Sequence, residues 1–129
     1  MIVVDTSAIM AVVLDEPRAN ECLSVLGREH EVLISAGTLA ELLIVAGARG
    51  RLDEVETLVD GLGFEVVPVT SAAARRAAGA YRKWGKGVHP ASLNIGDCFA
   101  YELAKARGCS LLYVGNDFGK TDIDSALSG

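Results

Sequence analysis

Four short apolar runs, at residues 2–4, 32–35, 64–69 and 111–114, are separated by much longer stretches with the period of a helix. Strands divided by helices have to pair in parallel through crossovers, which implies an α/β sandwich around a mostly parallel sheet. The first run ends at Asp5. Thr6 or Ser7 is placed to cap a short helix reaching about Leu14. Pro17 suits the first turn of a second helix, which Gly27 would stop. After the run 32–35 a helix spans 37–49, ended by Gly50. Residues 51–61 repeat the helical period, with Leu52, Val55, Leu58 and Val59 on one face. Thr70 or Ser71 caps a helix over 72–84. A Gly-rich loop with one proline covers 85–95, and a helix from Asp97 to Arg107 is stopped by Gly108. Gly115 and Asn116 break the fourth strand, and residues 121–127 form a last short helix or strand.

At 129 residues the chain is expected to be one domain, 1–129, able to bury roughly two-thirds of its unfolded surface. Half of the residues are hydrophobic and only 5% aromatic, so the core must be built from Ala, Val, Leu and Ile. Met1 leads directly into the first apolar run, without the basic segment of a signal peptide. Residues 32–48 are too short and too polar at their start to span a bilayer. A cytoplasmic protein with no membrane contact is expected. Cys22, Cys98 and Cys109 are odd in number and widely spaced, which suits neither a disulfide framework nor zinc.

In open parallel sheets, sites form at the carboxyl ends of strands. Four acids belong to that end or can be brought there. Asp5 closes the first strand. Glu41 is the lone charge in 32–48, and a carboxylate in an apolar helix is costly unless it is paired or bound to a cation. Asp97 opens a helix, where the dipole favours an acid. Asp117 follows the fourth strand, in ordinary turn chemistry. Each has a plain structural explanation. Together, oxygen-only ligands suit a hard cation, Mg²⁺ or Mn²⁺. Such an ion would bind a phosphate oxygen, acidify water and stabilise a leaving oxygen.

The net charge of −5 conceals an asymmetry. Residues 66–96 hold Arg75, Arg76, Arg82, Lys83 and Lys86 and no acid, leaving −10 for the rest. A basic segment beside an acidic remainder fits a protein that holds a cation in one place and phosphates next to it. Trp84 is a candidate for stacking on a base, although Tyr81 and Trp84 at i, i+3 more often pack a helix. His89 sits in the flexible loop, as a solvent-exposed side chain or an aid to proton transfer. Cys98 has no base placed to activate it.

The series Ile2-Val3-Val4-Asp5-Thr6-Ser7-Ala8, Ala40-Glu41-Leu42, Gly96-Asp97-Cys98-Phe99-Ala100-Tyr101 and Leu112-Tyr113-Val114-Gly115-Asn116-Asp117-Phe118, with Thr121-Asp122-Ile123 behind it, resembles the PIN-domain nucleases over essentially the whole chain. The compact length resembles their VapC toxin subgroup. That resemblance implies a three-layer α/β/α fold and a Mg²⁺- or Mn²⁺-dependent endoribonuclease restrained by a VapB-type antitoxin, with homodimers expected. It places Asp5, Glu41, Asp97 and Asp117 on the acidic positions, Asp5 and Asp97 as the most direct ligands, with Thr6 and Asn116 as flanking polar groups. Water would attack a backbone phosphorus in line, with the 3′ oxygen leaving. Arg75, Arg76, Arg82, Lys83 and Lys86 would hold flanking RNA phosphates. Two rivals stand beside this reading: a phosphatase, disfavoured because Ser7 replaces the second acid of an Asp-x-Asp signature, and an α/β interaction module whose acids are only caps.

Overall fold

The computed structural model describes residues 1–127. Its core is a four-stranded, wholly parallel sheet in the order β3-β2-β1-β4. The strands are β1 (Ile2–Val4), β2 (Val32–Ser35), β3 (Glu65–Val67) and β4 (Ser110–Leu112). Two helices fill each crossover: α1 (Thr6–Val13) and α2 (Ala19–Arg28), then α3 (Ala36–Ala48) and α4 (Leu52–Gly61), then α5 (Ser71–Trp84) and α6 (Ile95–Arg107). The chain steps outward from β1 to β3 and then returns to add β4 on the far side of β1. That reversal creates a crevice at the carboxyl ends of β1 and β4.

Strand residues alternate between two cores, as the two-residue period requires. Ile2, Val4, Val32, Ile34 and Leu112 pack with Ile9, Leu26, Leu42 and Val55 from α1 to α4. Val3, Leu33 and Leu111 pack with Ala77, Ala80, Ala100 and Leu103 from α5 and α6. Helices therefore cover both faces, and the three-layer arrangement is present. No helix among the described residues is long and apolar enough to cross a membrane.

Several boundaries differ from the sequence reading. Asp5, not Thr6 or Ser7, caps α1. Gly27 does not stop α2, which continues to Arg28 because Cys22, Val25 and Leu26 anchor it in the core. Burial of that face outweighs the roughly 1 kcal/mol that an interior glycine costs. Pro17 precedes the helix rather than occupying its first turn. β3 is confined to three residues, and α6 begins at Ile95, two residues before the expected start. Gly50 and Gly108 do end their helices, at φ of 68° and 62°. The loop 85–94 is not loose: Lys86 N–H donates to the Leu93 carbonyl at 2.9 Å, and Leu93 N–H to the Trp84 carbonyl at 3.1 Å. After β4, a 3₁₀ turn (Phe118–Lys120) leads to a single parallel bridge between Leu111 and Ser125.

Candidate active site

Asp5 emerges from β1 into the crevice. Its backbone N–H still bonds the Leu112 carbonyl at 2.9 Å, so β4 fixes where the side chain begins. One carboxylate oxygen, Oδ2, accepts from Ser7 N–H at 3.0 Å and from Ser7 Oγ at 2.7 Å. Ser7 Oγ in turn accepts from Val114 N–H at 3.0 Å, which ties the segment leading to Asp117 back to Asp5. The other oxygen, Oδ1, is buried and has no hydrogen-bond partner. An orphaned carboxylate oxygen in a residue only 3% exposed is expensive, and asks for a ligand.

Glu41 projects from the second turn of α3. Thr6 Oγ1 donates to its Oε1 at 2.7 Å, so the first residue of α1 orients it. Its carboxylate also lies against Gly96 at the start of α6, where a β-carbon would stand 2.6 Å from Glu41 Cδ. The two helices meet again where Gly37 lies under the Phe99 ring.

Asp97 is the third residue of α6 and forms half of a capping box. Asn94 Oδ1 accepts from Asp97 N–H at 2.9 Å, and Asp97 Oδ2 accepts from Asn94 N–H at 3.0 Å. This leaves Oδ1 of Asp97 outside the cap. Asp117 is exposed just before the 3₁₀ turn, next to exposed Asn116.

Asp5 and Asp97 each feel the charge of neighbouring acids. Burial pushes the Asp5 carboxyl up to about 7; the Ser7 bonds oppose this, and the charges of Asp97 and Glu41 add to it. Burial likewise pushes Asp97 up to about 6, against the Asn94 bond and with help from Glu41 and Asp117. Repulsion among converging acids is the condition a cation relieves. Among the described residues no group of three or more Asp, Glu, His or Cys side chains stands close enough together to hold a metal ion as the side chains lie. An open, all-oxygen arrangement with one orphaned oxygen fits Mg²⁺ or Mn²⁺, which take few carboxylates and keep several waters. A cavity of about 470 Å³ lies elsewhere, at the start of β1 and β4 between Met1, Lys105, Cys109 and Asp122, and none of the four acids lines it.

The basic segment divides in two. Arg76 is committed to α6: its Nε donates to Glu102 Oε1 at 2.8 Å, and Glu102 is buried. Arg82 and Lys83 lie on the last turn of α5, and Lys86 is bonded through its backbone to Leu93, four residues before Asp97. Arg75 is exposed a turn or two away, level with Arg76. Trp84 is a packing residue, with Nε1 donating to the Tyr101 hydroxyl at 2.9 Å and Lys83 Nζ 5.0 Å from its ring centroid. His89 is half-buried rather than a free, solvent-exposed side chain. Its ring meets Trp84 edge-on at 4.7 Å and its Nδ1 accepts from Ala91 N–H at 3.0 Å. Cys98 is buried, which pushes its thiol up to about 11 and keeps it inert.

Sequence reasoning missed Ser7, Asn94 and Gly96 as parts of the site. Asn94 was findable, since an Asn three residues before an acid at a helix start is a cap signature. Ser7 was seen only as a possible cap, and its long-range bond to Val114 left no local trace.

A model of the PIN domain matches residues 2–124 of the chain. Ribonuclease VapC30 of Mycobacterium tuberculosis is 40% identical over 126 residues, covering 94% of this chain and 95% of that protein. The crystal structure of Mycobacterium tuberculosis VapC20, described as a sarcin-ricin loop cleaving toxin, superposes with a TM-score of 0.79 at 14% identity, over 99% of this chain and 100% of that one. VapBC2 of Rickettsia felis, solved on a DNA fragment from its promoter, gives 0.70 at 16% identity, over 97% and 96%. At such identities the two structures speak for the fold.

Proposed function

The chain belongs to the PIN-domain family, among the VapC ribonucleases, and from that premise we propose that it cleaves RNA with a divalent cation held by Asp5, Glu41, Asp97 and Asp117. The observation that carries this reading is the buried, unpartnered Oδ1 of Asp5, a carboxyl that the charges of Asp97 and Glu41 act upon.

A divalent cation bound there supplies positive charge for a phosphate oxygen and acidifies water, work for which Mg²⁺ and Mn²⁺ suit these donors. The protein's own part is positioning. Ser7 aims Asp5, Thr6 aims Glu41, and Asn94 fixes Asp97 by holding its backbone and one oxygen. Arg82, Lys83 and Lys86 supply cationic contacts for phosphates flanking the cut, with exposed Arg75 further along the strand. Asn116 stands beside Asp117 to orient water or ligand.

The relatives also bear on partners. The Rickettsia felis neighbour is a VapBC pair, and here Ile44 of α3 and Leu52 of α4 are exposed apolar side chains. A VapB-type antitoxin and a second copy of the chain are the proposed protein partners. Residues 1–129 are proposed as one nuclease domain that acts in the cytoplasm.

The test is cleavage of RNA with Mg²⁺, Mn²⁺ or chelator, comparing wild type with Asp97→Asn. We expect cation-dependent cleavage by wild type and a loss in the variant exceeding the roughly 10–100-fold typical of groups behind the ligands. Equal cleavage by the two proteins would show the acidic site to be wrong. Growth arrest on expression, relieved by the product of the adjacent gene, tests the antitoxin.

A further inference from the structure

Tyr101 lies four residues beyond Asp97 on α6, one turn along the same face. Its side chain is buried, and its hydroxyl joins two segments from opposite sides. It donates to Asp122 Oδ1 at 2.5 Å and accepts from Trp84 Nε1 at 2.9 Å. Asp122 Oδ2 also accepts from Lys105 Nζ at 3.2 Å. Burial and the Asp122 bond push the hydroxyl up to about 12, so it remains a donor throughout the working pH range.

Asp122 follows Asp117 by five residues, and the turn between them is closely bonded. Lys120 N–H donates to the Asp117 carbonyl at 3.2 Å. Thr121 N–H and Thr121 Oγ1 both donate to the Phe118 carbonyl, at 3.0 and 2.7 Å. Ile123 N–H closes onto Thr121 Oγ1 at 3.2 Å. Phe118 is buried against Tyr113, with ring centroids 5.2 Å apart. A turn so constrained passes a displacement at Asp122 on to Asp117. Val114, bonded to Ser7, pins the other end. Asp117 is exposed between these two anchors, with no cap of its own.

We propose that Tyr101 is a positioning residue for the cleavage reaction, its hydroxyl setting the place of Asp117 relative to Asp97 by holding Asp122. The proposal rests on the reading of Asp117 as a cation-binding residue. Tyr101 touches neither substrate nor cation and acts only through that turn. It differs from packing by the ring, because the hydroxyl alone makes the link.

The experiment compares the full chain as wild type, Tyr101→Phe, Asp117→Asn and the double variant. Mn²⁺ affinity is read by calorimetry in the absence of RNA, and cleavage of an RNA oligonucleotide under single turnover. Emission of Trp84, the sole tryptophan, reports loss of its hydroxyl partner. Tyr101→Phe is expected to lower Mn²⁺ affinity and cleavage rate each by about tenfold, as groups behind metal ligands do. The double variant should be no worse than Asp117→Asn alone, because both changes act through one group. Losses that multiply in the double variant would overturn the proposal, as would unaltered Mn²⁺ affinity in Tyr101→Phe. If Asp117→Asn impairs both readouts and Tyr101→Phe neither, this inference alone fails. If Asp117→Asn impairs neither, the assignment of Asp117 fails and this inference with it. Asp122→Ala, at a half-exposed side chain, cuts the same link from the other end and should reproduce the Tyr101→Phe losses if the tyrosine variant folds poorly.

Discussion

Gly96 faces the Glu41 carboxylate with no room for a side chain between them: a β-carbon would stand 2.6 Å from Glu41 Cδ and 3.0 Å from its Oε1. The acid can lie against the start of α6 only because the residue before Asp97 lacks a β-carbon. Gly96→Ala should therefore drive Glu41 out of place. We expect cleavage to fall by more than about tenfold, with a stability loss in the overpacking range of about 1–3 kcal/mol. Gly27→Ala is the contrast, since nothing lies within 4 Å of a β-carbon there and the residue is helical. It should stabilise by roughly 0.5–1 kcal/mol and leave cleavage unchanged. Thermal unfolding and initial rates on both variants check the pair.

The raised carboxyls predict a pH effect on the cation-free protein. Asp5, at about 7, and Asp97, at about 6, bind protons more tightly folded than unfolded, where 3.8 is normal. Their contribution is complete below about pH 4, falls as pH rises through the window between, and is gone above pH 7. In chelator, the melting temperature should be higher at pH 5 than at pH 8 by about 5 °C or more. Mn²⁺ should raise it at pH 8 and do little at pH 5, because the ion binds the ionised acids. Melting curves that show the reverse order would reject the buried-acid account.

Ser7→Ala removes the hydroxyl bond that favours ionised Asp5 and strands the Val114 N–H. The Ser7 backbone bond to Asp5 survives, so the loss is partial. We expect destabilisation of about 1–3 kcal/mol. Because the hydroxyl bond holds the Asp5 carboxyl down, the acidic limb of the rate–pH profile should move to higher pH. An unshifted limb would show that Ser7 does not tune Asp5.

Arg76 and Lys86 should separate cleanly, though both belong to the basic segment. Arg76→Ala leaves Glu102 charged and buried. Removing one partner of a fully buried pair costs about 3–5 kcal/mol. The guanidinium is half in solvent, so about 1–3 kcal/mol is the discounted expectation. Its effect on the salt dependence of RNA binding should be small. Lys86→Ala should leave stability within about 0.5 kcal/mol and reduce the slope of log affinity against log salt by about one phosphate contact.

The fold was legible because its period was. Runs of β-branched residues between helical stretches imposed parallel pairing, and the alternation of Ile2, Val3 and Val4 between two cores follows from strand geometry. The nearness of Asp5, Glu41 and Asp97 agrees with the strand-end rule and the family resemblance, and Asp117 reaches the group through Asp97. Long-range partners were not legible. Nothing near Arg76 in the sequence announces Glu102, and nothing near Ser7 announces Val114. The glycine boundaries show the same limit: Gly50 and Gly108 end helices because they adopt positive φ, whereas Gly27 sits in a helix held by its buried face.

Asp5 and Asp97 are both proposed site acids and both hold the start of a helix, Asp5 as the cap of α1 and Asp97 as the acid of the α6 capping box. Asparagine caps a helix about as well as aspartate, yet carries no charge for a cation. On the proposed site, a single-base codon change from Asp to Asn at either position would thus silence the chemistry while sparing the fold. Such a silenced chain would still present every surface that a restraining partner grips. In a cell it would compete for that partner with the active form, so loss of catalysis by this route differs in its consequences from loss of the protein.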